Sequence, residues 1–183
     1  MNLPNLISMG RLLSVPANVW LVLIGEWRAA FVLFSLAGAS DALDGLIAKR
    51  FNARTRLGRY LDPLADKVLL VSMFAVLGVQ DLIPTWLVIL VVFRDVVIVG
   101  AVLFLNLLGQ VAEPRPRWSS KINTAMQILA IAFVLADLAF GMETTYGLHA
   151  AVFIATGITT VASGVDYLIE WARRLAVIER VEP

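Results

Sequence analysis

The stretch SDALDGLIAKRFNARTRLGRYLDPLADK runs from Ser40 to Lys67 and sets four aspartates between two apolar segments. They are Asp41, Asp44, Asp62 and Asp66. On both sides the chain is apolar enough to lie in a lipid bilayer, where a carboxylate is costly and is by default a functional residue. We therefore infer a membrane protein whose function requires these acids.

The composition of the whole chain is that of a membrane protein. Of its 183 residues, 60% are hydrophobic and 16% are charged, whereas a soluble globular domain is about 45–50% apolar and about 25% charged. The chain has no Cys and a single His, His149, which excludes disulfides, thiolate metal sites and His-rich metal sites. Its length predicts one domain over residues 1–183, and Met1 onward is expected to be mature protein. We expect no nucleic-acid partner.

Six segments are long and apolar enough to span a bilayer, which takes about 20 residues each. The predicted helices are Ile7–Ile24, Ala29–Ala48, Leu57–Leu77, Pro84–Leu107, Ile122–Phe140 and Leu148–Ala172. Gly25 and Gly78 stand where helices are expected to end. The predicted fold class is all-α, an integral membrane bundle of six transmembrane helices.

Basic residues are distributed unevenly between the two sides of such a bundle. With an even number of helices both termini share a side, and that side collects Arg11, Lys49, Arg50, Arg54, Arg56, Arg59, Arg115, Arg117, Lys121, Arg173, Arg174 and Arg180. The opposite loops hold only Arg28. Cytoplasmic loops are rich in Lys and Arg, so both termini are predicted to be cytoplasmic. We expect the inner membrane of a bacterium or organelle, with the acids facing the cytoplasm or matrix.

The four acids form two pairs, each on one helix face. Residues three or four apart share a face, which pairs Asp41 with Asp44 and Asp62 with Asp66. A short loop predicts that the two helices are antiparallel neighbours, so the pairs can converge at one depth. Packed carboxylates repel each other unless cations lie between them, and hard oxygen ligands suit Mg²⁺ or Mn²⁺. A divalent cation would remove this repulsion, and two such ions can share the four carboxylates.

Two other roles for these acids remain open at this point. They can pair with arginines and only fix helix packing, or they can form a proton or cation pathway. The neighbouring residues favour a ligand site, since Gly45, Ala48 and Gly58 leave space close to the backbone. Basic residues at positions 49, 50, 54, 56 and 59 would attract an anionic ligand.

The segment resembles the signature of CDP-alcohol phosphotransferases, D-x-x-D-G-x-x-A-R, eight residues, G-x-x-x-D-x-x-x-D. The matching positions are Asp41, Asp44, Gly45, Ala48, Lys49, Gly58, Asp62 and Asp66. Lys49 stands where the family has Arg, so a compact ammonium group replaces the planar, multidentate guanidinium.

This resemblance implies a fold, a reaction and a set of roles. The fold is a six-helix membrane bundle that typically forms a homodimer. The reaction is attack by an alcohol on CDP-diacylglycerol, which releases CMP. The four aspartates would bind two divalent cations, and Asp66 would also be the catalytic base for the hydroxyl. Gly45, Ala48 and Gly58 would line the CMP pocket, and Lys49 belongs to the same CDP-lipid site.

The acceptor alcohol is predicted from weaker similarity outside the signature. The start of the chain, NLPNLISMGRLLSVP, resembles both phosphatidylglycerophosphate synthases and eukaryotic-type cardiolipin synthases, and later segments are closer to the second group. Phosphatidylglycerophosphate synthases carry additional cations where this chain has Val102 and Asn123. A dianionic glycerol 3-phosphate needs several cations, so phosphatidylglycerol is the leading acceptor and glycerol 3-phosphate is the alternative.

Four cations are assigned to the acceptor or to lipid headgroups: Arg94, Lys121, Arg115 and Arg117. Arg94 with Asp95 has a structural alternative, as an ion pair within one helix. The other three have the alternative of ordinary headgroup contacts in a cytoplasmic loop. Two functions of other classes are a membrane prenyltransferase, which also uses Asp-rich motifs, and a transporter.

Overall fold

The computed structural model describes residues 3–51, 58–107, 118–142 and 146–178, and the side chains of residues 9–40, 64–101, 118–142 and 146–173. Within these ranges the chain is entirely helical apart from short turns. The helices are α1 (Leu3–Leu23), α2 (Trp27–Phe51), α3 (Gly58–Val79), α4 (Thr85–Leu107), α5 (Trp118–Phe140) and α6 (Tyr146–Ile178). The predicted number of helices is confirmed, and most ends lie close to the predicted ones.

Two helices of the described chain are long and apolar enough to cross a membrane, judged by length and composition. They cover Trp118–Phe140 and Tyr146–Arg173. The segments Met9–Leu23 and Trp27–Ser40 are shorter apolar helices. Helices on all sides of the bundle also expose large apolar side chains, among them Trp20, Leu36, Phe93, Leu129 and Ile158. Such a surface is what a lipid environment allows and water disfavours.

The helices close into a ring. Helix α1 packs against α2 and α3, α2 also packs against α5, α5 against α6, α6 against α4, and α4 against α3. Contacts between α3 and α5 cross the ring. The core inside it includes Met73, Phe74 and Leu77 of α3 with Ile131 and Leu135 of α5, all fully buried. This arrangement gives α3 neighbours on three sides.

In the described part of the chain α1 packs against both α2 and α3, and the predicted contact of α2 with α3 beside their joining loop falls on residues whose side chains are not described. A short loop constrains only the ends of the helices it joins, and it leaves the rest of each helix free to pack elsewhere. On α3, the ion pair of Asp66 with Arg11 holds α1 in the neighbouring position.

Three helices end in a left-handed residue. Gly25 follows α1 with φ 77°, Asp81 follows α3 with φ 56°, and Gly141 follows α5 with φ 59°. After α1, the Glu26 N–H donates to the Leu21 carbonyl at 2.9 Å, which is the closing bond of a Schellman motif. The predicted end at Gly25 is therefore confirmed.

Gly78 does not end its helix as expected, since it lies within the last turn of α3. A Cβ added at Gly78 would stand 2.7 Å from Cγ2 of Val88 on α4. The glycine is needed here for the close approach of two helices, and the change of chain direction falls to Asp81 instead.

Candidate active site

Asp66 lies in the first half of α3 and its carboxylate meets α1. Arg11 Nη1 donates to Asp66 Oδ1 over 2.5 Å. The Arg11 side chain is 1% exposed, whereas that of Asp66 is 34% exposed. The guanidinium is thus enclosed by protein, while the carboxylate remains accessible to a ligand.

The two helices bring this pair together because both residues lie at the same depth. Arg11 is eight residues from the start of α1 at Leu3, and Asp66 is eight residues from the start of α3 at Gly58. Each therefore lies about 12 Å along its helix. Since α1 and α3 pack side by side, a cation and an acid at this register can meet.

The next residue, Lys67, belongs to a second charged group. Its Nζ donates to Asp95 Oδ1 at 2.6 Å, and Arg94 Nη1 donates to the same oxygen at 2.6 Å. The side chains of Arg94 and Asp95 are 4% and 7% exposed, and that of Lys67 is 33% exposed. These three residues, called the Lys67–Asp95–Arg94 cluster below, join α3 to α4.

Arg94 extends this connection to two further helices. Its Nη2 donates to Ser120 Oγ on α5 at 2.9 Å and to Ser163 Oγ on α6 at 2.5 Å. Its guanidinium also lies 5.7 Å from the ring centroid of Tyr167. Such burial and pairing fit the structural alternative for Arg94, and its predicted contact with an acceptor remains a prediction.

Lys121 lies exposed at the start of α5. Its Nζ is 5.1 Å from the ring centroid of Trp118, a cation–π contact typical of exposed sites. A Lys beside a Trp at the end of a membrane helix fits the alternative of an interface contact. Its predicted role at the acceptor also remains untested.

Most of the predicted site lies outside the described side chains. This holds for Asp41, Asp44, Gly45, Ala48, Lys49, Gly58 and Asp62, and Arg115 and Arg117 lie outside the described residues altogether. The bounds of α2 still give the depth of Asp41 along the helix. Asp41 is ten residues before the last residue of α2, Phe51, a distance of about 15 Å. That is close to the depth of Asp66 on α3.

A divalent ion is consistent with the donors that these positions offer. All four predicted ligands are carboxylates, the hard oxygen donors that Mg²⁺ and Mn²⁺ prefer. Asp66, the member with a described side chain, keeps a third of that side chain exposed. Among the described side chains alone, no group of three or more acids or histidines is complete.

A neutral polar network occupies the contact between α5 and α6. Asn123 Oδ1 accepts hydrogen bonds from Thr159 at 3.2 Å and from Thr160 at 2.7 Å. Asn123 and Thr160 are fully buried. This position, where a phosphatidylglycerophosphate synthase is expected to carry a cation, therefore holds a neutral amide enclosed by hydroxyls.

The opposite end of the bundle has its own polar contacts. His149 Nε2 lies 3.3 Å from Asp137 Oδ2 and joins α6 to α5. Arg28 Nε donates to the Ala139 carbonyl at 3.0 Å and joins α2 to α5. The sequence suggested no role for His149 or Asp137. In the structure they connect two helices at the end of the bundle opposite Asp66.

Sequence reasoning did not pair Arg11 with Asp66 or Lys67 with Asp95. Arg11 counted only as a positive charge near the cytoplasmic end, and Lys67 only as a cation within a helix. The signal that could have found them is the charge itself, since an ionisable residue within an apolar helix needs a partner across the bundle.

The chain is similar to proteins of known families. Residues 1–163 match the family model described as CDP-alcohol phosphatidyltransferase. A chloroplastic CDP-diacylglycerol–glycerol-3-phosphate 3-phosphatidyltransferase of rice is 36% identical over 93% of this chain and 57% of its own length. The human cardiolipin synthase (CMP-forming) is 33% identical over 97% of this chain and 64% of its own length.

A bacterial relative is matched over nearly its whole length. The CDP-diacylglycerol–glycerol-3-phosphate 3-phosphatidyltransferase of Bacillus subtilis is 32% identical over 91% of this chain and 93% of its own. The chain thus spans less than two thirds of the rice and human proteins and nearly all of the bacterial one.

Proposed function

Because the chain belongs to the CDP-alcohol phosphatidyltransferase family, we propose that it transfers a phosphatidyl group from CDP-diacylglycerol to the hydroxyl of an acceptor alcohol and releases CMP. The lead acceptor is phosphatidylglycerol, which makes the product cardiolipin. Glycerol 3-phosphate is the alternative, and relatives named for each reaction are about equally similar to this chain.

The burial of the neutral Asn123 supports phosphatidylglycerol over glycerol 3-phosphate as the acceptor. Its amide is neutral and enclosed by Thr159 and Thr160, and the guanidinium of Arg94 is engaged by Asp95, Ser120 and Ser163. A phosphomonoester with two negative charges needs several cations in reach. A phosphodiester with one charge needs fewer, which favours the lipid acceptor.

In the proposed mechanism Asp66 faces the acceptor hydroxyl and takes its proton. Arg11 holds the Asp66 carboxylate in place through the ion pair between α1 and α3. Asp41, Asp44, Asp62 and Asp66 would hold the two divalent cations. When bound, those ions would neutralise the negative charge of the diphosphate and of the departing CMP. Gly45, Ala48 and Gly58 would leave room for CMP, and Lys49 would contact the CDP-lipid.

The proposal includes the place of the protein in the membrane. All six helices span an inner membrane, both termini lie in the cytoplasm or matrix, and the site opens to that side. The distribution of Lys and Arg supports this orientation. The protein is further proposed to act as a homodimer, as the family resemblance suggests, with membrane lipids around it.

The test is turnover by the purified protein in detergent or nanodiscs. CDP-diacylglycerol is supplied with phosphatidylglycerol or glycerol 3-phosphate, CMP release is measured, and the lipid product is identified by mass. Mg²⁺ or Mn²⁺ should support turnover and EDTA should stop it. Asp62→Asn should abolish CMP release while the protein still inserts into the membrane, and retained turnover in this variant would refute the assigned chemistry.

The same assay separates the functions of other classes. A prenyltransferase would consume an isoprenyl diphosphate and leave CDP-diacylglycerol intact. A transporter would move solute across a proteoliposome without producing CMP. Either outcome would replace the proposal, although membership of this family favours neither of them.

A further inference from the structure

Lys67 follows Asp66 directly in α3, and the two side chains reach different neighbours. Consecutive residues of a helix point about 100° apart. Arg11 holds Asp66 on the side of α1, and Asp95 holds Lys67 on the side of α4. A carboxylate and an ammonium therefore lie at one level of the bundle, the first toward α1 and the second toward α4.

The Lys67–Asp95–Arg94 cluster has an excess of positive charge. One oxygen, Asp95 Oδ1, accepts from both cations at 2.6 Å, so a single carboxylate balances two positive groups. The hydroxyls of Ser120 and Ser163 that accept from Arg94 are neutral. Counted over the described side chains alone, one positive charge is in excess, which is costly within a membrane bundle and favours an anion at the cluster.

Lys67 is the accessible member of this cluster. Its side chain is 33% exposed, whereas those of Arg94 and Asp95 are 4% and 7% exposed. Asp66, one residue earlier in the same helix, is 34% exposed, so both groups keep a surface that a ligand can contact. The two buried members fix the position of Lys67 through a short charged hydrogen bond.

We propose that Lys67 binds the phosphate of the acceptor alcohol while Asp66 faces its hydroxyl. This inference rests on the proposed function and adds the group that recognises the acceptor. Both candidate acceptors carry a phosphate ester and a primary hydroxyl on one glycerol unit, so an ammonium beside the base fits either. A single ammonium balances the one charge of phosphatidylglycerol and only part of the charge of glycerol 3-phosphate. Arg94 and Asp95 are positioning residues that act through Lys67.

The experiment compares steady-state kinetics of the full-length wild type, Lys67→Met and Lys67→Arg, with one arm for phosphatidylglycerol and one for glycerol 3-phosphate. A hydrogen bond to a charged group contributes about 1.5–3 kcal/mol, so Lys67→Met should raise the KM of the acceptor by roughly ten- to a hundredfold. The KM of CDP-diacylglycerol should stay unchanged. Lys67→Arg keeps the charge and should recover most of the acceptor affinity.

A matched control removes a cation elsewhere. Arg173 is exposed near the end of α6, and Arg173→Met should leave both KM values unchanged. If Lys67→Met does not fold, Lys67→Gln performs the same test, because its amide can still bond to Asp95 without a charge.

The possible outcomes distinguish a failure of the role of Lys67 from a failure of the proposed function. An unchanged acceptor KM in Lys67→Met, with an active wild type, overturns the role of Lys67 and leaves the proposed function intact. An equal rise in the KM of both substrates also overturns it, because that result indicates a general distortion. A wild type without turnover on either acceptor overturns the proposed function itself.

Discussion

Arg11 and Asp66 differ in burial, and this decides which substitution harms the fold. The guanidinium is enclosed at 1% exposure, whereas the carboxylate keeps 34% exposure. Removing the acid takes away the carboxylate that accepts from the enclosed guanidinium at 2.5 Å. Removing the arginine leaves a negative charge that solvent, or a bound cation, can compensate.

We expect Asp66→Asn to lose both CMP release and stability. Loss of one partner from a fully buried ion pair costs about 3–5 kcal/mol, and screening at the partly exposed Asp66 reduces this to about 1–3 kcal/mol. The double variant Asp66→Asn with Arg11→Met should regain most of the stability and none of the activity. Thermal unfolding in detergent and CMP release measure the two effects separately.

The double variant also serves as the control for misfolding. A stable but inactive double variant assigns the loss of turnover to the missing carboxylate. If instead the double variant is no more stable than Asp66→Asn, the ion pair with Arg11 is not what the single substitution disturbs.

For single residues, the sequence predicts which side chains share a helix face better than it predicts their partners on other helices. The spacing of Asp62 and Asp66 is local and follows from helix periodicity. Arg11, which donates to Asp66, lies 55 residues away on another helix, and no local pattern indicates it. Asp95 was predicted only as an ion-pair partner of Arg94, whereas its Oδ1 also accepts a hydrogen bond from Lys67 on α3.

Among the elements, α3 and α4 show how small residues set the distance between helices. The Cβ that Gly78 lacks would lie 2.7 Å from Cγ2 and 3.6 Å from Cβ of Val88. Val88 is β-branched and has one strongly preferred rotamer in a helix, so it cannot easily turn away. Close approach at Gly78 is therefore a packing requirement, although the sequence suggested a helix end.

We expect Gly78→Ala to destabilise the protein. Overpacking costs about 1–3 kcal/mol, and over most of that range the cost exceeds the gain of about 1 kcal/mol from replacing Gly by Ala in a helix. Adding Val88→Ala removes the clashing methyl and should restore stability. The measurement is the midpoint of thermal unfolding in detergent.

Gly100 of α4 provides the comparison, because a Cβ there would meet nothing within 4 Å. Gly100→Ala should leave the midpoint unchanged or raise it. A Gly78→Ala variant as stable as Gly100→Ala would show that α4 moves away without cost.

Some helix bounds were predicted to the residue and others were several residues off. The predicted end of α4 at Leu107 agrees with the structure, as does that of α5 at Phe140. Helix α5 begins at Trp118, before the expected Ile122, because the polar turn around Ser120 is helical and bonds to Arg94. Helix α6 continues to Ile178, beyond the apolar window that ended at Ala172.

In the described part of the whole molecule, the ion pairs between helices lie at two separate levels. One level contains Arg11, Asp66 and the Lys67–Asp95–Arg94 cluster. The other contains the contact of His149 with Asp137 and the turn after α1. Between them lies an apolar core that includes Leu77 and Leu135. The up-and-down course of the helices puts the start of α3 and the end of α4 on the same side, as the bond between Lys67 and Asp95 requires.

Cysteine labelling can test which side of the membrane carries the level of Asp66 and the Lys67–Asp95–Arg94 cluster. The chain has no Cys, so a single introduced cysteine reports one position without background. Glu26→Cys and Met142→Cys, both at exposed residues near the same end of the bundle, should react with a membrane-impermeant maleimide on intact bacterial cells. Arg173→Cys, at an exposed residue of α6, should react only after the membrane is opened, because cytoplasmic ends collect Lys and Arg. Wild-type protein is the negative control. The reverse labelling pattern would put Asp66 on the outer side, where a CDP-linked lipid made from a cytoplasmic nucleotide could not reach it directly, and the proposed reaction would lose its substrate.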